Sequence, residues 1–368
     1  MQTVSILGRV EQAAGFGLIF VVLLDVFLTV LYARAEGTLI SFHLGQAIWW
    51  VFRKAAAAAG RARGKVLSFC GPAVMVSIVA AWSMCLALGA ALIIHPELGT
   101  AVKSSGNGTG TDFITALYAG GNSMSIVGSG SYEPQNTPMR LLFIANSIIG
   151  ASVLSLTLTY LMQVYSALQR RNVIALSIHL LTAETADAAE FIASIAPDGK
   201  FDSGYSHLIN LADSMTEAKE ATHFYPVMVY FRFDESFYSV SQFVLVALDT
   251  VSLIHTALDQ EQYGWLGRSS AVRQLDRSAY LLIDTMITTF REGDGKDQPP
   301  SDKAEKMWRR RFERACQRLD EAGIASNCSP DAARHYIDLR TKWQPFINSL
   351  APAMGLRAHE IDPAMVQS

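Results

Sequence analysis

The run Ser123-Met124-Ser125-Ile126-Val127-Gly128-Ser129-Gly130-Ser131-Tyr132-Glu133-Pro134 holds the pattern with the clearest chemistry in this chain. Two glycines spaced by one residue, Gly128 and Gly130, let a backbone turn its carbonyls to one side at little steric cost. Carbonyl oxygens stacked in that way replace the water around a dehydrated cation. Glu133 stands just after them. It reads either as an acidic group that concentrates cations at a mouth or as a solvated loop residue, and both readings stand.

Such a segment needs particular elements around it. Residues 104–110 are Gly, Ser, Thr and Asn and read as flexible. Thr111-Asp112 can cap a short helix running through Phe113, Leu117 and Tyr118, too short to cross a membrane. A long uncharged stretch follows the glycine segment. Short helix, glycine-containing strand and spanning helix together describe a re-entrant loop. Non-helical backbone at membrane depth is tolerated only where protein buries it or a water-filled cavity is lined.

The rest of the chain agrees with a bilayer. Half of its 368 residues are hydrophobic (50%) and only 17% are charged, which excludes a disordered chain and argues against a purely soluble one. Mean hydropathy is +0.23. Residues 14–33 hold one charge, Asp25, and residues 71–94 and 141–168 hold none; each run is long enough to span. Residues 39–52 are shorter, contain Trp49 and Trp50, and end at Arg53-Lys54, which reads as a helix lying on the membrane surface. Arg34, Arg53, Lys54, Arg61, Arg63 and Lys65 face only Glu36 in the first loop, and Arg170-Arg171 follow the third span. The positive-inside rule then places the N-terminus and residues 95–137 outside and the C-terminal part in the cytoplasm. A signal peptide cleaved near Ala33-Arg34-Ala35 is a weaker reading, because the apolar region is too long and its leading segment has only Arg9, offset by Glu11.

Here the chain resembles the tetrameric potassium-channel family, whose pattern is T-x-T-T-V-G-Y-G-D followed shortly by Pro. Ser123, Ser125, Ile126, Val127, Gly128, Ser129, Gly130, Ser131 and Pro134 stand in that frame, and Ala116-Leu117-Tyr118 resembles the pore helix. The resemblance covers residues 71–168, under a third of the chain. It implies an ion-coordinating filter at Ser125, Ile126, Val127, Gly128, Ser129 and Gly130, with Ser131 and Glu133 at the outer mouth. It implies an inner cavity and gate at Gly150, Ala151, Leu154, Leu158 and Met162, where an apolar ring closes by dewetting. Gly150 falls at the family's hinge glycine; a bend there and close helix packing are equally good readings.

The departures from the family pattern have physical consequences. Ile126 has no hydroxyl, so the innermost ion site loses a side-chain ligand ring. Ser129 cannot brace the filter as a Tyr would. Ser131 replaces the usual Asp, and Ala119 stands where an aromatic is common. Gly120-Gly121 weakens the short helix by about 1 kcal/mol per Gly. Cation preference follows from the carbonyls, but discrimination of potassium from sodium stays open.

The remaining signals are bland. Asp25 inside a span is read as structural, pairing with a neighbouring helix or polar group; a proton or voltage response is the rival reading, and no arginine ladder supports it. From residue 169 onward apolar positions recur at helical spacing, as in Leu208, Leu211, Met215 and in Leu275, Ala279, Leu282, Met286. Residues 237–254 read as a buried bundle helix interrupted by Gln242 and Asp249, and residues 292–301 as a linker before a last helical segment. The histidines are scattered, and 198–202 and 294–297 read as turns, since they lack a calcium-loop ligand frame. Trp308-Arg309-Arg310-Arg311-Phe312-Glu313-Arg314 reads as a solvated helix face, with contact to anionic headgroups as the rival reading. Four cysteines, Cys70, Cys85, Cys316 and Cys328, are too sparse for a disulfide framework and have no metal-type spacing. A net charge of −3 gives nucleic-acid binding no bulk support. No catalytic constellation is visible, so an enzyme is not expected.

The expected fold is an all-α membrane protein: a potassium-channel-like pore of spanning helix, pore helix with filter, and spanning helix, plus an extra N-terminal span and a helical cytoplasmic domain. The expected divisions are 1–66, 67–168 and 169–368. The expected assembly is a homotetramer in a lipid bilayer, a bacterial inner membrane, passing potassium and needing no cofactor. A poorly selective cation pore that admits sodium, and a membrane-anchored sensor or scaffold with a vestigial pore, are the alternatives. The cytoplasmic partner or ligand is not identified.

Overall fold

Asp25 shows how the N-terminal helices are joined. The first helix, α1 (Ile6–Val26), continues into a π-helical turn, Phe27–Leu31. Asp25 has no solvent exposure, and its carboxylate accepts hydrogen bonds from the backbone N–H groups of Leu39 (2.6 Å), Ile40 (2.8 Å) and Ser41 (3.2 Å). It also accepts from the Ser41 hydroxyl at 2.6 Å and from the Trp82 indole N–H at 2.8 Å. Helix α2 (Ser41–Ala58) therefore starts with its first N–H group, and those of the two residues before it, held by an acid from another helix. This is the structural reading of Asp25.

The computed structural model describes residues 6–32, 39–106, 108–126, 130–290, 301–354 and 362. Ala33, Arg34 and Ala35, residues 294–297 and most of the linker at 292–301 lie outside the described residues, as do Val127, Gly128 and Ser129. The chain divides into two units. The first comprises residues 1–50 and 72–164; the second comprises 51–71 and 165–368.

In the first unit α1 meets α4 (Cys70–Ile94), which follows the short α3 (Arg63–Ser68). A Cβ added to Gly15 would lie 2.6 Å from the Gly89 carbonyl oxygen, and one on Gly89 would lie 2.7 Å from the Ile19 side chain. Paired glycines let the two backbones approach, as small residues do between membrane helices. Beyond α4, strand β1 (Val102–Ser104) precedes α5 (Phe113–Met124), and strand β2 (Tyr132–Pro134) precedes α6 (Thr137–Leu181). The strands pair antiparallel, Lys103 opposite Glu133. Ser104 thus pairs with Tyr132, in a stretch that reads as flexible from its composition.

Among the described residues, three helical stretches are long and apolar enough to cross a membrane: Ile6–Leu31, Arg63–Glu97 and Thr137–Leu181. The protein is an all-α membrane protein apart from the two short strands. The third stretch is longer than the apolar run behind it, because charged residues such as Arg170 and Arg171 continue the same helix. The expected helix at 39–52 forms with shifted bounds, Ser41 to Ala58; Trp49 is buried and Trp50 exposed.

The second unit is helical: α7 (Ala188–Ile195), α8 (Asp202–Phe224), α9 (Val240–Thr256), α10 (Gln260–Gly267), α11 (Ser270–Phe290), α12 (Asp302–Glu321) and α13 (Pro330–Ala353). Helix α9 is its centre, buried on every face through most of its length, with α7, α11 and α13 packed on it. An apolar helix of this length is a core helix once others surround it. Asp249 is tolerated inside it because Arg311 and Arg340 pair with it. The last two helices share this core; the linker does not set them apart. Trp308, Arg311 and Phe312 are buried, which corrects the reading of their segment as a solvated face; Arg310, Glu313 and Arg314 are the exposed side. Pro197–Gly199 forms a 3-10 turn with Asp198 and Gly199 at positive φ.

Candidate functional site: the short helix and the glycine segment

The short helix α5 starts as its sequence dictates. Asp112 is its N-cap, accepting from the Thr115 N–H at 2.9 Å and the Thr115 hydroxyl at 2.7 Å. Those two hydrogen bonds favour the carboxylate and lower the Asp112 pKa from its ordinary value. Ala116, Ala119, Gly120, Ser123 and Met124 form the buried side of α5. A Cβ on Gly120 would lie 2.7 Å from the Ala91 backbone nitrogen, so this glycine lets α5 lie directly on α4. Ala119, where an aromatic is common in the resembled family, is fully buried in the cluster with Ala91, Ile94, Leu98, Met139 and Phe143. A larger side chain has no space there.

The C-terminal end of α5 is tied to α6 by two contacts. Asn146 on α6 donates its amide to the Ser123 hydroxyl at 2.9 Å, and that hydroxyl donates to the Gly120 carbonyl at 2.7 Å. Both side chains are buried. Below them, Gly150 packs against the carbonyl of Met124 with no room for a Cβ. Neither contact is read from the motif. The signal for Asn146 is its type: it and Gln163 are the carboxamides in the apolar run 141–168.

The glycine segment leaves α5 at Ser125, whose N–H and hydroxyl both donate to the Asn122 carbonyl, at 3.1 and 3.0 Å. Ile126 is 69% exposed, an apolar side chain that the described residues leave uncovered. Val127, Gly128 and Ser129 lie outside the described residues. Gly130 and Ser131 are exposed, and Ser131 accepts a hydrogen bond from the Ser105 N–H at 3.0 Å. Glu133 is exposed on β2, with the Ser105 hydroxyl donating to it at 3.4 Å. Tyr132 meets Tyr118 edge-on at 5.9 Å, so the strand pair is anchored to α5.

On α6, Val153, Thr157, Tyr160 and Val164 are buried, while Ala151, Leu154, Leu158 and Met162 form an exposed strip. Met162 is 74% exposed. The structure therefore aligns those four residues on one helix face and leaves it uncovered in the single chain. Gly150, half-buried, borders that face.

Among the described residues, no group of three or more His, Cys, Asp or Glu side chains could hold a metal ion. Residues 74–167 match the family model described as ion channel. That segment is an ion-channel domain of the two-span, pore-loop type, consistent with the potassium-channel-like resemblance in its glycine segment. The match spans about a quarter of the chain and leaves out the helical unit beyond it. No curated protein and no solved structure matches the chain.

Proposed function

We propose that this protein is a homotetrameric channel that conducts potassium through main-chain oxygens of Ser125, Ile126, Val127, Gly128, Ser129 and Gly130. The observation that carries this reading is the placement of the Ser123–Gly130 pattern at the end of a capped short helix, between two span-length helices of an ion-channel domain. One such segment cannot enclose an ion, and closed rotational symmetry supplies the missing walls. The partially negative C-terminal end of α5 would then favour a cation beyond the filter. Ser131 and Glu133 form the outer mouth on this reading, and Ala151, Leu154, Leu158 and Met162 line the cavity. Their uncovered strip supports it, since an exposed apolar helix face requires lipid, a cavity or other copies.

Gating by the helical unit rests on a separate contact. Within the second unit, Arg171 on α6 donates to the carbonyls of Met228 (3.0 Å) and Phe231 (3.1 Å). The Phe231 ring also meets Tyr165 of α6 edge-on at 5.8 Å and covers Gly71 at the start of α4, where a Cβ would lie 2.6 Å from the ring. One short segment thus grips the helices on both sides of the pore loop. Movement of that segment would act on α4 and α6 together. The helical unit lies in the cytoplasm of a bacterial cell on this reading, with the N-terminus outside.

Potassium flux into liposomes tests the proposal, with Gly128→Asp as the control that removes the required backbone freedom. Flux in the parent chain and none in the control is the expected result. A chain that never conducts, or that purifies as a monomer or dimer, overturns it in favour of a membrane-anchored scaffold. Ile126 and Ser129 favour a second reading, a poorly selective cation pore. Equal sodium and potassium permeability in reversal-potential measurements selects that reading.

A further inference from the structure

Two of the buried guanidinium groups of the helical unit share one cluster. Arg340 is fully buried and Arg311 is 4% exposed. Arg311 Nε donates to one Asp249 oxygen at 2.8 Å. Arg340 Nη1 donates to the other at 3.1 Å, and the Tyr336 hydroxyl donates to that same oxygen at 2.6 Å. Two aromatic faces flank the Arg340 guanidinium, Trp343 at 4.9 Å and Trp308 at 5.6 Å from the ring centres. Asp249, on α9, neutralises one of the two positive charges.

The second carboxylate comes from outside the helices. Asp362 stands eight positions after Met354, the last described residue beside α13. One of its oxygens lies 2.7 Å from Arg311 Nη1 and the other 2.9 Å from Arg340 Nη2. Each oxygen takes one guanidinium, so two arginines hold the carboxylate through one charge-assisted hydrogen bond apiece. Buried donor capacity remains: Arg311 Nη2 and Trp308 Nε1 have no hydrogen-bond partner among the described residues. Without Asp362 the cluster would keep one unbalanced positive charge in a buried place, among the costliest defects a fold can hold. A monoanion with two coplanar oxygens restores neutrality; a dianion would overshoot it.

We propose that Arg311 and Arg340 form a carboxylate-binding site in the helical unit, that Asp362 is its intramolecular occupant, and that a free carboxylate exchanges with it. Attachment to the chain gives Asp362 a high effective concentration, so a free carboxylate must compete with it. The site is independent of the pore chemistry, and its test does not require conduction.

The experiment uses the full chain in detergent micelles, with sodium acetate as the probe and sodium chloride at equal ionic strength as reference. Asp362→Ala should lower Tm by about 10 °C. Acetate should recover at least half of that loss, and chloride should not. Adding Arg311→Met to Asp362→Ala should abolish the acetate-specific recovery. Acetate no better than chloride in Asp362→Ala overturns the proposal. Where Asp362→Ala fails to fold, the parent chain decides by trypsin cleavage after Arg357, read by mass spectrometry. Saturating acetate should accelerate that cut several-fold over chloride while cuts elsewhere keep their rates. An unchanged rate at Arg357 overturns the proposal.

Discussion

Gly150 of α6 lies against the main-chain carbonyl of Met124, the last residue of α5, with no space for a side chain between them. This contact makes the glycine a seat for the end of the short helix. Close packing is thus the reading the geometry favours over a free hinge. Gly150→Ala should cost about 1–3 kcal/mol through overpacking, and should displace the glycine segment from its place. Thermal unfolding and liposome flux check this together. A variant with unchanged Tm and altered gating would return Gly150 to the hinge reading.

The Asn146–Ser123 hydrogen bond is the polar tie in the same region. Asn146→Leu removes the donor and leaves the Ser123 hydroxyl with its bond to the Gly120 carbonyl. Loss of a buried hydrogen bond of this kind costs about 1–2 kcal/mol. The expected outcome is a lower Tm and a potassium-to-sodium permeability ratio that falls toward one. Reversal potentials measure it, and an unchanged ratio would show that the tie steadies the helix without shaping the filter.

Asp25 should act as a cap and not as a sensor. Asp25→Ala strips an acceptor from three backbone N–H groups, the Ser41 hydroxyl and the Trp82 indole. The expected loss is about 3 kcal/mol or more, seen as a large fall in Tm. Asp25→Asn should fold with a smaller loss and conduct with the voltage dependence of the parent chain. A voltage or proton response that disappears in Asp25→Asn would reverse this assignment.

Acid should weaken the helical unit through Asp362. Burial raises the affinity of this carboxyl for its proton, but Arg311 and Arg340 outweigh burial and hold it below the usual carboxylate range. A group lowered on folding contributes stability that is fully present above its unfolded value, near 3.8, and lost as pH falls through its folded value. Asp362→Asn should therefore start less stable at neutral pH and lose less on acidification. Tm measured across a pH series checks this, and parallel slopes for the two proteins would contradict it.

The sequence by itself determined the spans and the capped short helix, and it marked out the glycine segment, because these rest on local rules. A bilayer demands a long apolar run, a cap demands Asp112 beside Thr115, and a turning backbone demands glycine. It also marked Asp25 and Asp249 as unusual, because a charge in an apolar run must have a partner. Only the tertiary structure decided who those partners are. Asp25 is answered by the start of α2 and by Trp82, and Asp249 by two arginines, one of them in a segment that composition alone places in solvent. Neither the β1–β2 pair nor the Gly150–Met124 seat has a local signature, since each forms between residues separated along the chain. Periodicity shows that a face needs covering; packing alone shows what covers it.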